Sequence, residues 1–110
     1  MYIKKVILIV FLTLLSSVVF AQNQSEKKAM MITNRMTKAL SLGEEEKQKV
    51  YEIQIKRFQD ITFIRETYKD DPQMKNTEIK KVFKKLYGKL VGLLGKDRMK
   101  EWNLYKKNNY

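Results

Sequence analysis

The chain has 110 residues, no cysteine, no histidine, and 23 basic against 12 acidic residues, a formal charge of +11. Without cysteine there are no disulfides; without histidine the commonest general base and the commonest transition-metal ligand are missing. The basic excess favours anionic partners and speeds their encounter.

Residues 1–21 bear on which partners those are. Lys4 and Lys5 precede an uncharged apolar run from Val6 to Leu15, then Ser16-Ser17 and Val18-Val19-Phe20-Ala21. This is the order of a secretory signal peptide, with Val19 and Ala21 as the residues that set the cut. The apolar stretch from Val6 to Ala21 is 16 residues, short of the ~20 that span a bilayer as a helix. Polar Gln22-Asn23-Gln24 follow, with no stop-transfer cluster and no cysteine to carry a lipid anchor. The expectation is a chain cut after Ala21 and exported, to the periplasm in preference to the medium. Export argues against nucleic acid and leaves acidic or unfolded polypeptides and anionic lipid surfaces.

Residues 22–110 (110 − 21 = 89 residues) read as one all-helical domain, with no period-2 alternation and no Asn-Gly or Asp-Gly hairpin turn. A domain of this size buries only ~60–65% of its unfolded surface, so helix propensity or oligomerisation must help. Residues 22–28 are polar and read as a disordered terminus. A first helix is expected over about 26–40, with Ala29, Ile32, Met36 and Leu40 at helical spacing.

A second is expected over about 44–69. Glu44, Glu45 and Glu46 complement the dipole of its first turn. Ser41 with Glu44, or Gly43 with Glu46, has capping spacing. Val50, Ile53, Ile61, Ile64 and Tyr68 form one stripe, with Arg57 in its centre; Tyr51, Ile55 and Phe58 form a second, about 100° away. Arg57 is expected to snorkel or to pair with Asp60 or Asp71. Such a helix is about 39 Å long at 1.5 Å per residue. It overhangs a compact globule of ~31 Å diameter, so a partner chain or a client is expected to cover its apolar surface.

Asp71 and Pro72 mark the start of a third helix, expected over about 72–91. Ile79, Val82, Phe83, Leu86, Tyr87 and Leu90 line one face, opposite Lys81, Lys84 and Lys85. Gly88 and Gly92 read as a fraying point. A fourth helix, about 96–107, carries Met99, Trp102 and Tyr105, and 108–110 read as a terminal tail. Residues 22–74 hold 10 basic and 9 acidic groups, whereas 75–110 hold 11 and 3, a net +8.

Ala39-Leu40-Ser41-Leu42-Gly43 is echoed 52 positions later by Val91-Gly92-Leu93-Leu94-Gly95, which pairs Val50 with Trp102 and Ile53 with Tyr105. The echo reads as two related helical hairpins. With Leu42-Gly43-Glu44-Glu45-Glu46 and Leu94-Gly95-Lys96-Asp97-Arg98 standing where two LTxxQ motifs would stand, residues 22–110 resemble the Spy/CpxP family of bacterial periplasmic proteins. Leucine is kept twice, threonine is glycine twice, and glutamine is Glu46 and Arg98. Glu46 can return a bond to the cap; Arg98 has no acceptor and cannot. The resemblance implies a thin, curved, two-hairpin all-α fold that pairs as an antiparallel homodimer. It also implies either ATP-independent chaperone-like binding of unfolded clients, or regulation of an envelope-stress sensor.

The client-facing surface is expected at Lys47, Tyr51, Ile55, Lys56, Arg57, Phe58 and Arg65, extended by Lys81, Lys84 and Lys85. A basic membrane-surface role is the further alternative, because residues 79–91 form a basic amphipathic helix. No enzyme, cofactor or metal site is read: the clustered carboxylates (Glu44, Glu45, Glu46, Asp70, Asp71) sit at helix ends, where capping explains them, and no nucleophile–base set or phosphate loop is present. The solution mass of residues 22–110 tests this reading; it is expected at twice the chain mass, and a compact monomer removes the cradle.

Overall fold

Four α-helices make up the described residues, 23–110, of the computed structural model; the expected signal peptide, 1–21, lies outside them. They are α1 (described over 23–40), α2 (Glu44–Thr67), α3 (Pro72–Leu94) and α4 (Lys96–Asn109). Among the described residues there is no strand.

The expected disorder before residue 28 is not found: α1 is helical from residue 23. Ser25, Ala29, Thr33, Met36 and Leu40 are buried, at spacings of three and four that keep them on one face. Ser25 and Thr33 are polar, so a hydrophobic pattern omits them. The helix ends in a Schellman turn, in which the Leu42 N–H donates to the Thr37 carbonyl at 3.2 Å. Ser41 supplies its left-handed residue, at φ 53°. The turn carries Leu42 into the core beside Leu40.

Of the two capping options for α2, Gly43 with Glu46 is realised: Glu46 Oε1 accepts from the Gly43 N–H at 3.3 Å. The helix stops at Thr67 rather than 69, because residues 68–70 turn toward α3. Asp71 Oδ1 then accepts from the Met74 N–H at 3.1 Å, with Pro72 in the first helical turn.

Gly88 and Gly92 do not fray α3. It runs through both to Leu94, three residues past the expected end, because Leu90 and Leu94 are buried and hold that last stretch. Both glycines are exposed, and a Cβ on either meets nothing within 4 Å. Gly95 alone joins α3 to α4, at φ 89°. Its N–H donates to the Val91 carbonyl at 2.8 Å, and its carbonyl accepts from the Met99 N–H at 3.2 Å. The C-terminal residues are no loose tail. α4 continues to Asn109, and the Tyr110 hydroxyl accepts from Arg35 Nη1 at 2.7 Å, with the guanidinium over its ring.

The core is the junction of all four helices. Met36 and Leu40 of α1, Leu42, Val50 of α2, Leu90 and Leu94 of α3, and Met99 and Trp102 of α4 form one buried cluster. Full burial of each such side chain contributes ~1.5–3 kcal/mol. The residues matched by the 52-position echo meet here: Val50 and Trp102 are in the cluster, and Ile53 and Tyr105 pack against it. Away from the junction α2 and α3 continue together as a two-helix limb. There Ile61 and Ile64 are buried, while Phe63 is 70% exposed.

The glycines separate two cases. Gly88→Ala and Gly92→Ala are each expected to raise stability by ~0.5–1 kcal/mol, since helical alanine costs less backbone entropy. Gly95→Ala is expected to lower it by ~1–2 kcal/mol through its positive φ. Denaturant titration of the three variants checks the ordering.

Candidate functional site

Arg57 is the one charged residue inside the apolar stripe of α2, and the structure gives it a different role from the expected ones. It neither snorkels free nor pairs with Asp60 or Asp71. Asp60 is taken by Lys56 Nζ at 2.7 Å, and Asp71 caps α3. Arg57 Nη1 instead donates to Gln54 Oε1 at 3.0 Å, and Gln54 Nε2 lies 3.6 Å from Met36 Sδ. Gln54 is 1% exposed, the polar member of the α2 seam that a hydrophobic pattern skips. The Arg57 guanidinium lies 4.4 Å from the ring centre of Phe58 and 5.2 Å from that of Phe83. Such stacking holds its plane. Its Nε is buried without a partner, and burial lowers the pKa of the group.

Arg57 forms one wall of a groove of about 230 Å³ between α2, α3 and α4, lined also by exposed Phe83 and Tyr87 and by buried Trp102. Lys106 of α4 stands at its rim, with Nζ 5.7 Å from the Trp102 ring centre. Burial, and then the charge of Arg57, lower the Lys106 pKa. Phe83 and Tyr87 are 44% and 51% exposed although both lie on the apolar face of α3. That face is wider than α2 can cover, and α4 closes it only near the junction.

The expected client-facing residues fall on several surfaces. Lys47 and Tyr51 border a wider groove of about 540 Å³ with Met30, Thr33 and Asn34 of α1. Lys56, Arg57 and Lys85 line a furrow between α2 and α3. Ile55 and Phe58 are half-buried, and Arg65, Lys81 and Lys84 point to solvent, with Lys81 Nζ 3.0 Å from Glu78. Of the expected set only Arg57 enters the aromatic groove. Phe83, Tyr87, Trp102 and Lys106 complete it, on helices far from Arg57 in sequence. An arginine inside an apolar stripe was the available signal.

The two family-motif positions meet. Arg98, which cannot close a cap of its own, reaches 52 residues back: Nη1 pairs with Glu46 Oε2, and Nη2 donates to Glu46 Oε1 at 3.2 Å and to the Leu40 carbonyl at 3.3 Å. One guanidinium therefore ties the end of α1 and the start of α2 to the start of α4. The Arg98 hydrogen bonds, joined by that of the Gly43 N–H, hold the Glu46 carboxyl below the ordinary glutamate value, and Glu46 in turn raises Arg98. The two motif leucines, Leu42 and Leu94, are both buried in the core cluster.

Among the described residues, no group of His, Cys, Asp and Glu side chains could hold a metal ion, and no helix is long and apolar enough to cross a membrane. Because the Glu46 pKa is depressed on folding, its stabilisation is complete above the usual glutamate range and is lost as pH falls through the folded value. Glu46→Gln is therefore expected to lower the melting temperature at pH 7, with a loss that shrinks steadily as pH falls below the ordinary glutamate range, which thermal melts over a pH series check. Comparisons with protein-family models, curated proteins and solved structures give no match.

Proposed function

We propose that this protein is an exported, Spy/CpxP-like binder of unfolded or misfolded polypeptides, acting in the periplasm without ATP and as an antiparallel homodimer. The observation that carries the reading is the set of large apolar side chains left in solvent among uncompensated lysines. Phe63, Phe83, Tyr87, Met30, Met31 and Leu104 are 44–70% exposed. Lys80, Lys84, Lys85 and Lys89 are exposed on α3 and form no ion pair among the described residues. Exposed apolar groups provide contact without sequence preference, flexible methionines adapt to it, and the positive field draws clients in from a distance. The α2–α3 limb, about 36 Å long by the length of α2, is the natural place for a second copy to pack, since little of this chain covers Phe63.

The apolar face of α3 lies against α2, with Leu90 and Leu94 buried and Val82 and Leu86 half-buried. Of that face only Phe83 and Tyr87 are exposed, too little to lie along a bilayer surface, which supports the polypeptide reading over the membrane-surface one. A regulatory adaptor of an envelope-stress sensor uses the same surfaces, and it differs in having one stoichiometric partner.

The test is suppression of aggregation of a denatured client. Suppression is expected at ~0.01 M salt, where the Debye length is ~30 Å, and is expected to weaken severalfold near 1 M, where it is ~3 Å. Light scattering measures both. No suppression at low salt overturns the chaperone reading, and a single stoichiometric envelope partner in pull-downs replaces it with the adaptor.

A further inference from the structure

We infer that the groove between α2, α3 and α4 is an anchor site for a peptide segment in which a carboxylate stands next to one large apolar side chain. The carboxylate meets Arg57 and Lys106, and the apolar group lies against Phe83, Tyr87 and Trp102. The inference rests on the polypeptide-binding reading above and gives it a place and a preferred chemistry.

Charge carries the first part. None of the groove's lining residues is acidic. Four cations elsewhere on the described surface are paired with carboxylates (Lys49 with Glu45, Lys56 with Asp60, Lys81 with Glu78 and Arg98 with Glu46); most of the other lysines are unpaired and exposed to solvent, whereas Arg57 and Lys106 share one groove. Asp60 lies one turn from Arg57 and goes to Lys56. Arg57, half-buried, and Lys106, exposed at the rim, are thus two like charges facing one opening, and the only hydrogen bond to either side chain among the described residues is with neutral Gln54. Removing a cation such as Arg57 from water without a counter-charge is costly, and a carboxylate placed between the two offsets both the hydration Arg57 has lost and their mutual repulsion. Gln54 on one side and the Phe58 and Phe83 rings on the other hold the guanidinium plane. The donor fork is therefore set before any ligand arrives, which reduces the entropy lost on binding.

Size and shape carry the second part. The groove, at about 230 Å³, is smaller than the ~300–1,000 Å³ that encloses a drug-sized ligand. It takes one large side chain, not a whole amphiphile. At Tyr87 and Asn103 it adjoins an open depression of about 380 Å³ bordered by Val91, Lys96, Asp97 and Lys100. A chain anchored by one residue can continue there, past Val91, two lysines and Asp97. Both features select a polypeptide over a free fatty acid.

Trp102 is the only tryptophan of the chain and lines the groove, so its fluorescence reports occupancy. The probes are short glycine-serine peptides carrying Asp-Phe, Asn-Phe or Asp-Ala, titrated into the exported protein at low salt, with decanoate as a fourth ligand. Asp-Phe is expected to bind about tenfold more tightly than either other peptide, the scale of one charge-assisted hydrogen bond. Arg57→Gln is expected to bring Asp-Phe down to the level of Asn-Phe, and Lys106→Gln to reduce it severalfold. Lys38→Gln, which removes an exposed, unpaired charge of α1 outside the groove, is expected to leave the preference intact. Should Arg57→Gln fail to fold by circular dichroism, Lys106→Gln at the exposed rim decides.

Equal binding of Asp-Phe and Asn-Phe to the wild type overturns the anchor site, as does an equal loss in Lys38→Gln and Lys106→Gln. Decanoate binding more tightly than Asp-Phe overturns the choice of a peptide. If aggregation is suppressed while the peptides bind alike, the anchor falls and the chaperone reading stands. If Asp-Phe is preferred without suppression, the groove stands and the chaperone reading falls.

Discussion

Trp102 is 2% exposed in a cluster to which α1, α2, α3 and α4 all contribute. A small helical chain without disulfides has one place to concentrate its apolar area, and here it is the junction where both tight connections, 41–43 and Gly95, bring helix ends together. Everything else is arranged around that junction. The left-handed Ser41 and Gly95 exist to turn the chain sharply enough for Leu42 and Leu94 to reach it. The Glu46–Arg98 clasp lies above it and binds three helix ends at once. The outward glycines of α3 are tolerated because Leu90 and Leu94 hold the helix from the inside.

Spending the apolar side chains at one end has a consequence at the other. The α2–α3 limb has only a helix pair with which to cover itself, so its rings stay in solvent. At the boundary between junction and limb the packing changes character. Gln54 is fully enclosed, Arg57 is half-enclosed, and Phe83 and Tyr87 are open. Trp102 belongs to both regions, as a core residue on one side and a groove wall on the other. One wall of the groove is therefore the core itself, which gives a cation held there a fixed surface against which to recognise a ligand.

The two degenerate motifs show how a pairing can replace a repeated pattern. Read separately, Arg98 in place of a capping acceptor is a defect of the second copy. In three dimensions it complements the acceptor of the first, and the bidentate contact spans 52 residues. The second helix start then needs no side-chain cap, because Gly95 passes the chain directly from one helix into the next.

Helix number, order and approximate limits were legible in the sequence, because spacing, the acidic first turn of α2 and the Asp71-Pro72 start are local signals. The core positions Met36, Leu40, Val50, Leu90, Met99 and Trp102 followed from the same periodicity. What it missed was polar or distant: buried Ser25, Thr33 and Gln54, the docking of Tyr110 on Arg35, and the continuation of α3 through two glycines. Propensity assigns a break to Gly88 and Gly92, and only the burial of residues beyond them reverses it. The sequence by itself determined an all-helical chain with a basic second half and an arginine misplaced in an apolar stripe. Only the tertiary structure decided what that arginine faces, because Phe83, Tyr87, Trp102 and Lys106 come to it from other helices, and no spacing along one helix encodes a meeting of three.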